Sequence, residues 1–320
     1  MLSSVAADRD DESLAHQALL YGSEEEFLAG TVAFIRDGLD RGDPVRVVTT
    51  DRNRGWLRAA LGADAGRVAF GESSQWYRHP VRALAAVHRT VQEASRRGQR
   101  LRMIGEPWSR ARTVQQSTEW ARYESLVNAA LGWSNAALLC TYDTGVVSLD
   151  VVAQVVRTHP ELVVNGGSRS SPSYLDPAVF NAECDRSPLP ELSAPALWFG
   201  FDGLGQLVIL RDFVMSQAAQ AGVAVLDVTQ FLQAVYSVAT NAIEHGGASG
   251  VVRAWAGPQT ILCEVSDSGA GLRAPLAGRL PSSRSTARGR GVWFARQRCD
   301  LVEVRSGPAG TIVRLHLALP

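Results

Sequence analysis

The sequence predicts two α/β domains in tandem, and three observations carry that prediction. From residue 16 to about 157 short apolar runs alternate with longer amphipathic stretches. From 165 to 195 the pattern breaks in a segment with six serines, five prolines and Gly166-Gly167. Beyond it the order changes to two helical stretches followed by strand pairs. At 320 residues, 46% of them hydrophobic, the chain is long enough for two cores.

Taken in order, 18–21 reads as a strand, and Ser23 with Glu26 as a capping box opening a helix to about 41. The runs 45–49, 68–70, 101–104 and 136–142 follow as strands, with 80–97 and 113–131 of helical length and period between them. Such alternation implies parallel strands joined by crossover helices. The boundaries read as a first domain at 14–178, a linker or irregular docking segment at 179–195, and a second domain at 196–320. In the second, 204–221 and 228–244 are helical, and 250–255 and 260–267 are strands. A loop rich in Gly, Pro, Ser and Arg runs over 268–288. A short helix at 291–298 and strands at 301–306 and 311–317 complete helices packed on a mixed sheet.

Composition excludes several chemistries. All 32 basic side chains are arginine, so no Schiff-base lysine, P-loop lysine or kinase-type strand lysine exists here. They balance 32 acidic residues, leaving no general field to attract nucleic acid. Cys140, Cys184, Cys263 and Cys299 form no C-x-x-C pair, and the polar N-terminus lacks a signal-peptide core. The longest apolar runs fall far below the roughly 20 residues that span a bilayer. These features predict a reduced, cytoplasmic protein without a membrane anchor.

The second domain carries three separated motifs and a fourth near its end. They are Asn241-Ala242-Ile243-Glu244-His245-Gly246, Asp267-Ser268-Gly269-Ala270-Gly271, Gly289-Arg290-Gly291 and Gly310-Thr311. In this order they resemble the nucleotide boxes of the GHKL class of ATP-binding domains, and within it the anti-sigma serine kinases. The resemblance implies an α/β sandwich of the histidine-kinase ATPase type that binds ATP with Mg²⁺. The implied partner is a sigma factor or a STAS-type anti-anti-sigma protein, and a homodimer is left open.

The residues suit those roles on chemical grounds. Asp267 ends an alternating strand, where its carboxylate can accept from the adenine amino group, while Gly269 and Gly271 clear the approach. A hairpin-turn aspartate would look the same. Asn241 lies one turn from both Ser237 and His245, and its amide oxygen suits Mg²⁺, although a helix-interior amide is the alternative. His245 precedes Gly246-Gly247, the usual helix terminator. Gly289 and Gly291 open a helix whose free N–H groups favour phosphate, with Arg288 beside them and Thr311 at the close. The preceding loop, which also carries Arg273, Arg279 and Arg284, corresponds to the family's mobile lid.

One departure from the family matters. Active serine kinases of this type carry a glutamate four residues before the Asn, and here that position is Ser237. A serine hydroxyl cannot act as a carboxylate base, a loss of about 10²- to 10⁴-fold in rate. Glu244 is roughly two turns away. The expectation is therefore a regulator with weak or absent kinase activity, and the alternative is an active serine/threonine or histidine protein kinase. No phospho-acceptor helix with a coiled-coil pattern and no basic helix-turn-helix is visible.

In the first domain, His16 and Tyr21, Gly105-Glu106-Pro107, Trp120 with Tyr123-Glu124, Cys140-Thr141-Tyr142-Asp143 and His159-Pro160 are similar to the MEDS family. That sensory domain is known from regulators of methanogens and methylotrophs and is related to RecA-like parallel-sheet folds. Where a RecA-like ancestor has its phosphate loop, this chain has Tyr21-Gly22-Ser23-Glu24-Glu25-Glu26, which repels phosphate. His16, Cys140, Tyr142 and His159 form a candidate sensory pocket for a small molecule at the edge of the sheet. Their spacing fits no standard metal pattern.

Overall fold

Strands of the first domain read as near-continuous apolar runs because both faces of a parallel sheet are covered by helices. The computed structural model describes residues 13–107, 112–164, 166–192, 196–220, 225–256, 260–272, 277–279 and 291–318. The chain divides into two compact units, Met1–Phe180 and Asn181–Pro320.

In the first unit β1 (Ala15–Tyr21) leads to α1 (Glu24–Asp40), β2 (Val45–Thr49), α2 (Asp51–Leu61), β3 (Ala69–Glu72) and a single-turn α3 (Ser73–Trp76). Then come α4 (Pro80–Arg96), β4 (Arg102–Gly105), α5 (Val114–Leu131), β5 (Ala137–Asp143), α6 (Leu149–Thr158) and the hairpin β6 (Glu161–Val164) and β7 (Gly167–Ser170). The sheet order is β3-β2-β4-β5-β1-β6-β7, parallel except for the last pair. Ser23 caps α1 by accepting from the Glu26 N–H, but the Glu26 carboxylate reaches back to the Gly22 N–H at 2.6 Å, one residue earlier than a capping box requires. The reciprocal box occurs instead at Thr113 and Gln116, opening α5.

Strand alternation sorts the core. Leu19, Tyr21, Val47, Ile104 and Leu139 pack under α1 and α2, whereas Ala18 and Tyr142 face the other way toward Val151 and Val155 of α6. In register, His16 lies opposite Leu138 and Ala18 opposite Cys140, so His16, Cys140 and Tyr142 share a face.

The segment expected to be irregular contains structure. The β6–β7 hairpin turns through Gly166, whose φ of 76° suits glycine. Helix α7 (Pro177–Arg186) starts on proline, with Asp176 Oδ1 accepting from the Ala178 N–H at 2.8 Å. Further on, the Ser187 and Pro190 carbonyls accept from Arg305 and Arg314 of the second unit's sheet.

That second unit contains β8 (Leu197–Phe201), α8 (Leu207–Gln220), α9 (Val225–His245), β9 (Gly250–Ala256), β10 (Thr260–Asp267), α10 (Gly291–Arg298), β11 (Leu301–Gly307) and β12 (Gly310–Ala318). The sheet order β11-β12-β10-β9-β8 is antiparallel at every pairing, which corrects the mixed sheet expected. The short β9–β10 and β11–β12 connections permit only antiparallel neighbours. One sheet face packs on the three helices around Phe231, Val235, Val252, Cys263, Ala295 and Leu315. On another row Arg314 binds Glu264 through Nη2 at 2.8 Å and Nε at 3.1 Å, so neither inward charge is unpaired.

Candidate functional site

Helix α9 supplies the spine of the second unit's site. Its buried residues, among them Val235, Val238, Ala239 and Ala242, hold it on the sheet, which turns the 237, 240, 241 and 244 row toward α8 and α10. Ser237, Thr240, Asn241 and Glu244 line a cavity of about 680 Å³, with Leu207, Arg211, Gly291 and Phe294 on the facing helices. The floor is tight: a Cβ on Gly291 would lie 2.6 Å from the Ser237 carbonyl oxygen and closer still to the Asn241 amide.

Asp267, Gly269, Gly271, His245 and Thr311 do not line that cavity. Four of them form a cradle beyond the end of α9. Asp267 Oδ1 accepts from the Gly269 N–H at 2.9 Å and the Thr311 N–H at 3.2 Å. A Cβ on Gly269 would fall 2.6 Å from the Gly246 Cα, so the end of α9 and the loop after β10 touch backbone to backbone. Gly271 has φ of 76°, and the Leu272 N–H donates to Ser306 Oγ at 2.6 Å, which pins the loop to β11. His245 points elsewhere, with a half-exposed side chain 3.9 Å from the Glu244 carboxylate. Arg288 and Gly289, like Arg273 and Arg284, lie outside the described residues. Arg279 is buried, at 2% exposure.

In the first unit the structure brings His16, Cys140, Tyr142 and His159 together, on a face at the centre of the sheet rather than at its edge. The His16 and His159 ring centroids are 4.3 Å apart, and Tyr142 meets His159 edge-on at 5.8 Å. Glu124 of α5 completes the group. Its Oε2 lies 3.5 Å from His16 Nε2, 3.4 Å from His159 Nε2 and 3.5 Å from the Cys140 sulfur. Cys140 Sγ is 3.6 Å from His16 Nε2.

Burial governs the electrostatics here. It would raise the Glu124 carboxyl, but the facing His159 and His16 rings draw it down to about 2. Burial and the neighbouring His159 lower His16, and burial next to Glu124 pushes the Cys140 thiol well above its ordinary range. Around the group burial also raises the Tyr77, Tyr123 and Tyr142 hydroxyls and lowers Arg112 to about 9.

Sequence reading did not assign Glu124 a role, nor Asn128 one turn further on. The signal was there: positions 124 and 128 share a helix face. What the pattern lacks is the docking of α5 against β1 and β5.

Comparison with known families agrees with the two halves of this description. Residues 15–160 match the MEDS model, described as the methanogen/methylotroph, DcmR sensory domain. Residues 203–317 match the histidine kinase-like ATPase domain. No curated protein matches the chain. Among the described residues no helix is long and apolar enough to cross a membrane. The chain thus joins a MEDS sensory domain to a histidine kinase-like ATPase domain, the architecture of a signalling regulator.

Proposed function

We propose that this protein is a partner-switching regulator of the anti-sigma type, whose ATPase-like domain binds ATP with Mg²⁺ and transfers phosphate feebly. The observation that carries the reading is the pairing of Asn241 with Ser237 on one cavity wall. Asn241 would hold Mg²⁺ through its amide oxygen, and Asp267 would take the adenine amino group. Asp267 suits this because both backbone donors go to Oδ1, while Oδ2 takes no hydrogen bond among the described residues. The position that would orient an attacking hydroxyl holds Ser237, which cannot act as a base.

A protein partner is favoured by exposed apolar side chains on the same unit. Leu197 and Trp198 on edge strand β8, and Val208 and Ile209 on α8, stand more than half exposed. A surface of this kind is the usual mark of a protein contact. A sigma factor or a STAS-type antagonist is the partner this reading names. The MEDS domain would then set how the partner is held, through a ligand with different affinities for two states.

A second reading, an active protein kinase, draws on Glu244, which lines the same cavity two turns from Ser237. Transfer from labelled ATP to the co-purified partner separates the two. On the first reading wild type is slow and Ser237→Glu is faster by about 10²- to 10⁴-fold. A fast wild type that Ser237→Glu does not accelerate, and that Glu244→Gln silences, is the kinase.

A further inference from the structure

We propose that His16, Glu124, Cys140 and His159 form a tetrahedral site for a divalent cation of the zinc class in the MEDS domain. One candidate ligand atom from each of the four lies within 4.8 Å of all the others. Bonds of about 2.0–2.1 Å to nitrogen and oxygen and about 2.3 Å to sulfur give tetrahedral edges of roughly 3.3–3.6 Å. Four edges match: 3.4 and 3.5 Å from Glu124 Oε2 to the two imidazoles, 3.5 Å from it to sulfur, and 3.6 Å from sulfur to His16 Nε2.

The hydrogen bonds behind the rings fix which nitrogen faces inward. His159 Nδ1 lies 2.9 Å from the Val155 carbonyl oxygen, which only accepts, so Nδ1 carries the proton. His16 Nδ1 lies 2.9 Å from Asn128 Oδ1. The Asn128 amide nitrogen donates to the Ser125 and Thr158 carbonyls, which identifies Oδ1 as an acceptor and His16 Nδ1 as the donor. Both rings therefore point Nε2, the nitrogen left for a metal, at Glu124 Oε2, 3.5 Å from His16 and 3.4 Å from His159. His159 Nε2, fully buried, makes no hydrogen bond there.

A dication would satisfy all four converging atoms at once and balance the charge. Glu124 and a Cys140 thiolate bring two negative charges, and the imidazoles bring none. The loaded site is neutral, as deep burial demands. A bound cation also supplies what the thiol lacks, because a coordinated thiol loses its proton. The backing of each imidazole by a carbonyl or amide oxygen is the arrangement that orients metal-binding histidines. Thiolate with two imidazoles selects zinc over Mg²⁺ or Ca²⁺. This inference stands apart from partner switching and is tested without a partner.

The test uses the untagged full chain, stripped with chelator and titrated with Co²⁺ and then Zn²⁺. One Co²⁺ per chain should bind, with the visible bands of a tetrahedral ion and a thiolate-to-cobalt charge-transfer band, and Zn²⁺ should abolish both. Cys140→Ser should lose the charge-transfer band alone. His16→Gln and His159→Gln should each weaken binding at least a hundredfold, and Asn128→Ala by about 10- to 100-fold. Circular dichroism matching wild type certifies that each variant is folded. Failure of the folded wild type to take up Co²⁺ or Zn²⁺ overturns the site. So does uptake that both histidine variants retain in full, or uptake without the charge-transfer band.

Discussion

Gly291, the first residue of α10, lies against Asn241 of α9 with no room between them for a methyl group. The helix whose N-terminus faces the cavity is thereby seated on the residue proposed above as the Mg²⁺ ligand.

Gly291→Ala should lift α10 away from α9. The new methyl would meet the Asn241 amide and the Ser237 carbonyl, and neither is the flexible end of a long side chain. An over-packing cost of about 1–3 kcal/mol is expected in urea denaturation, together with weaker Mg²⁺–ATP binding in calorimetry. Unchanged stability and affinity would refute the contact.

Asp267→Asn separates the two jobs of that side chain. An asparagine oxygen can still accept from the Gly269 and Thr311 N–H groups, so the cradle should persist. The remaining atom becomes a donor, which the proposed adenine amino group cannot accept. ATP affinity should fall by about 1.5–3 kcal/mol, roughly tenfold to a hundredfold, with the melting temperature of the ligand-free protein nearly unchanged.

Stability at alkaline pH should report on Cys263. Burial pushes this thiol up to about 12, whereas the unfolded chain ionises near about 8.5. Below the unfolded value the protonated thiol costs nothing in either state. As pH rises past it, the unfolded chain gains thiolate and the native one does not, so stability falls between the two values. Chemical denaturation across that range should show the fall, and Cys263→Ala should make it shallower. Thiol alkylation followed by mass spectrometry should find Cys263 unmodified until denaturant is added.

Where apolar period and burial coincide, the elements were legible. Val45–Thr49 and Thr260–Asp267 are strands, and Gly291–Arg298 a helix, with the ends the pattern predicts. Strand β7 escaped because Gly-Ser-Arg-Ser is wholly exposed and has no apolar face to announce it. Strand β8 escaped for the opposite reason: Leu197 and Trp198 are apolar yet face solvent. In the first unit's site, strand alternation alone puts Cys140 and Tyr142 on one face, and the register of β1 against β5 adds His16 to it. Glu124 reaches them only through tertiary docking of a helix, which no local period encodes.

The pairing of β1 with β5 and β6 has a consequence for the order of synthesis. β1 bonds to residues 137–143 and 161–163, more than a hundred positions downstream, and to nothing nearer in its sheet. At ribosomal rates of about 5–20 residues per second, the first strand waits on the order of ten seconds for its partners. Through that interval the apolar stretch Ala15–Tyr21 is an unpaired edge in a nascent chain, and its protection falls to whatever holds emerging polypeptides apart.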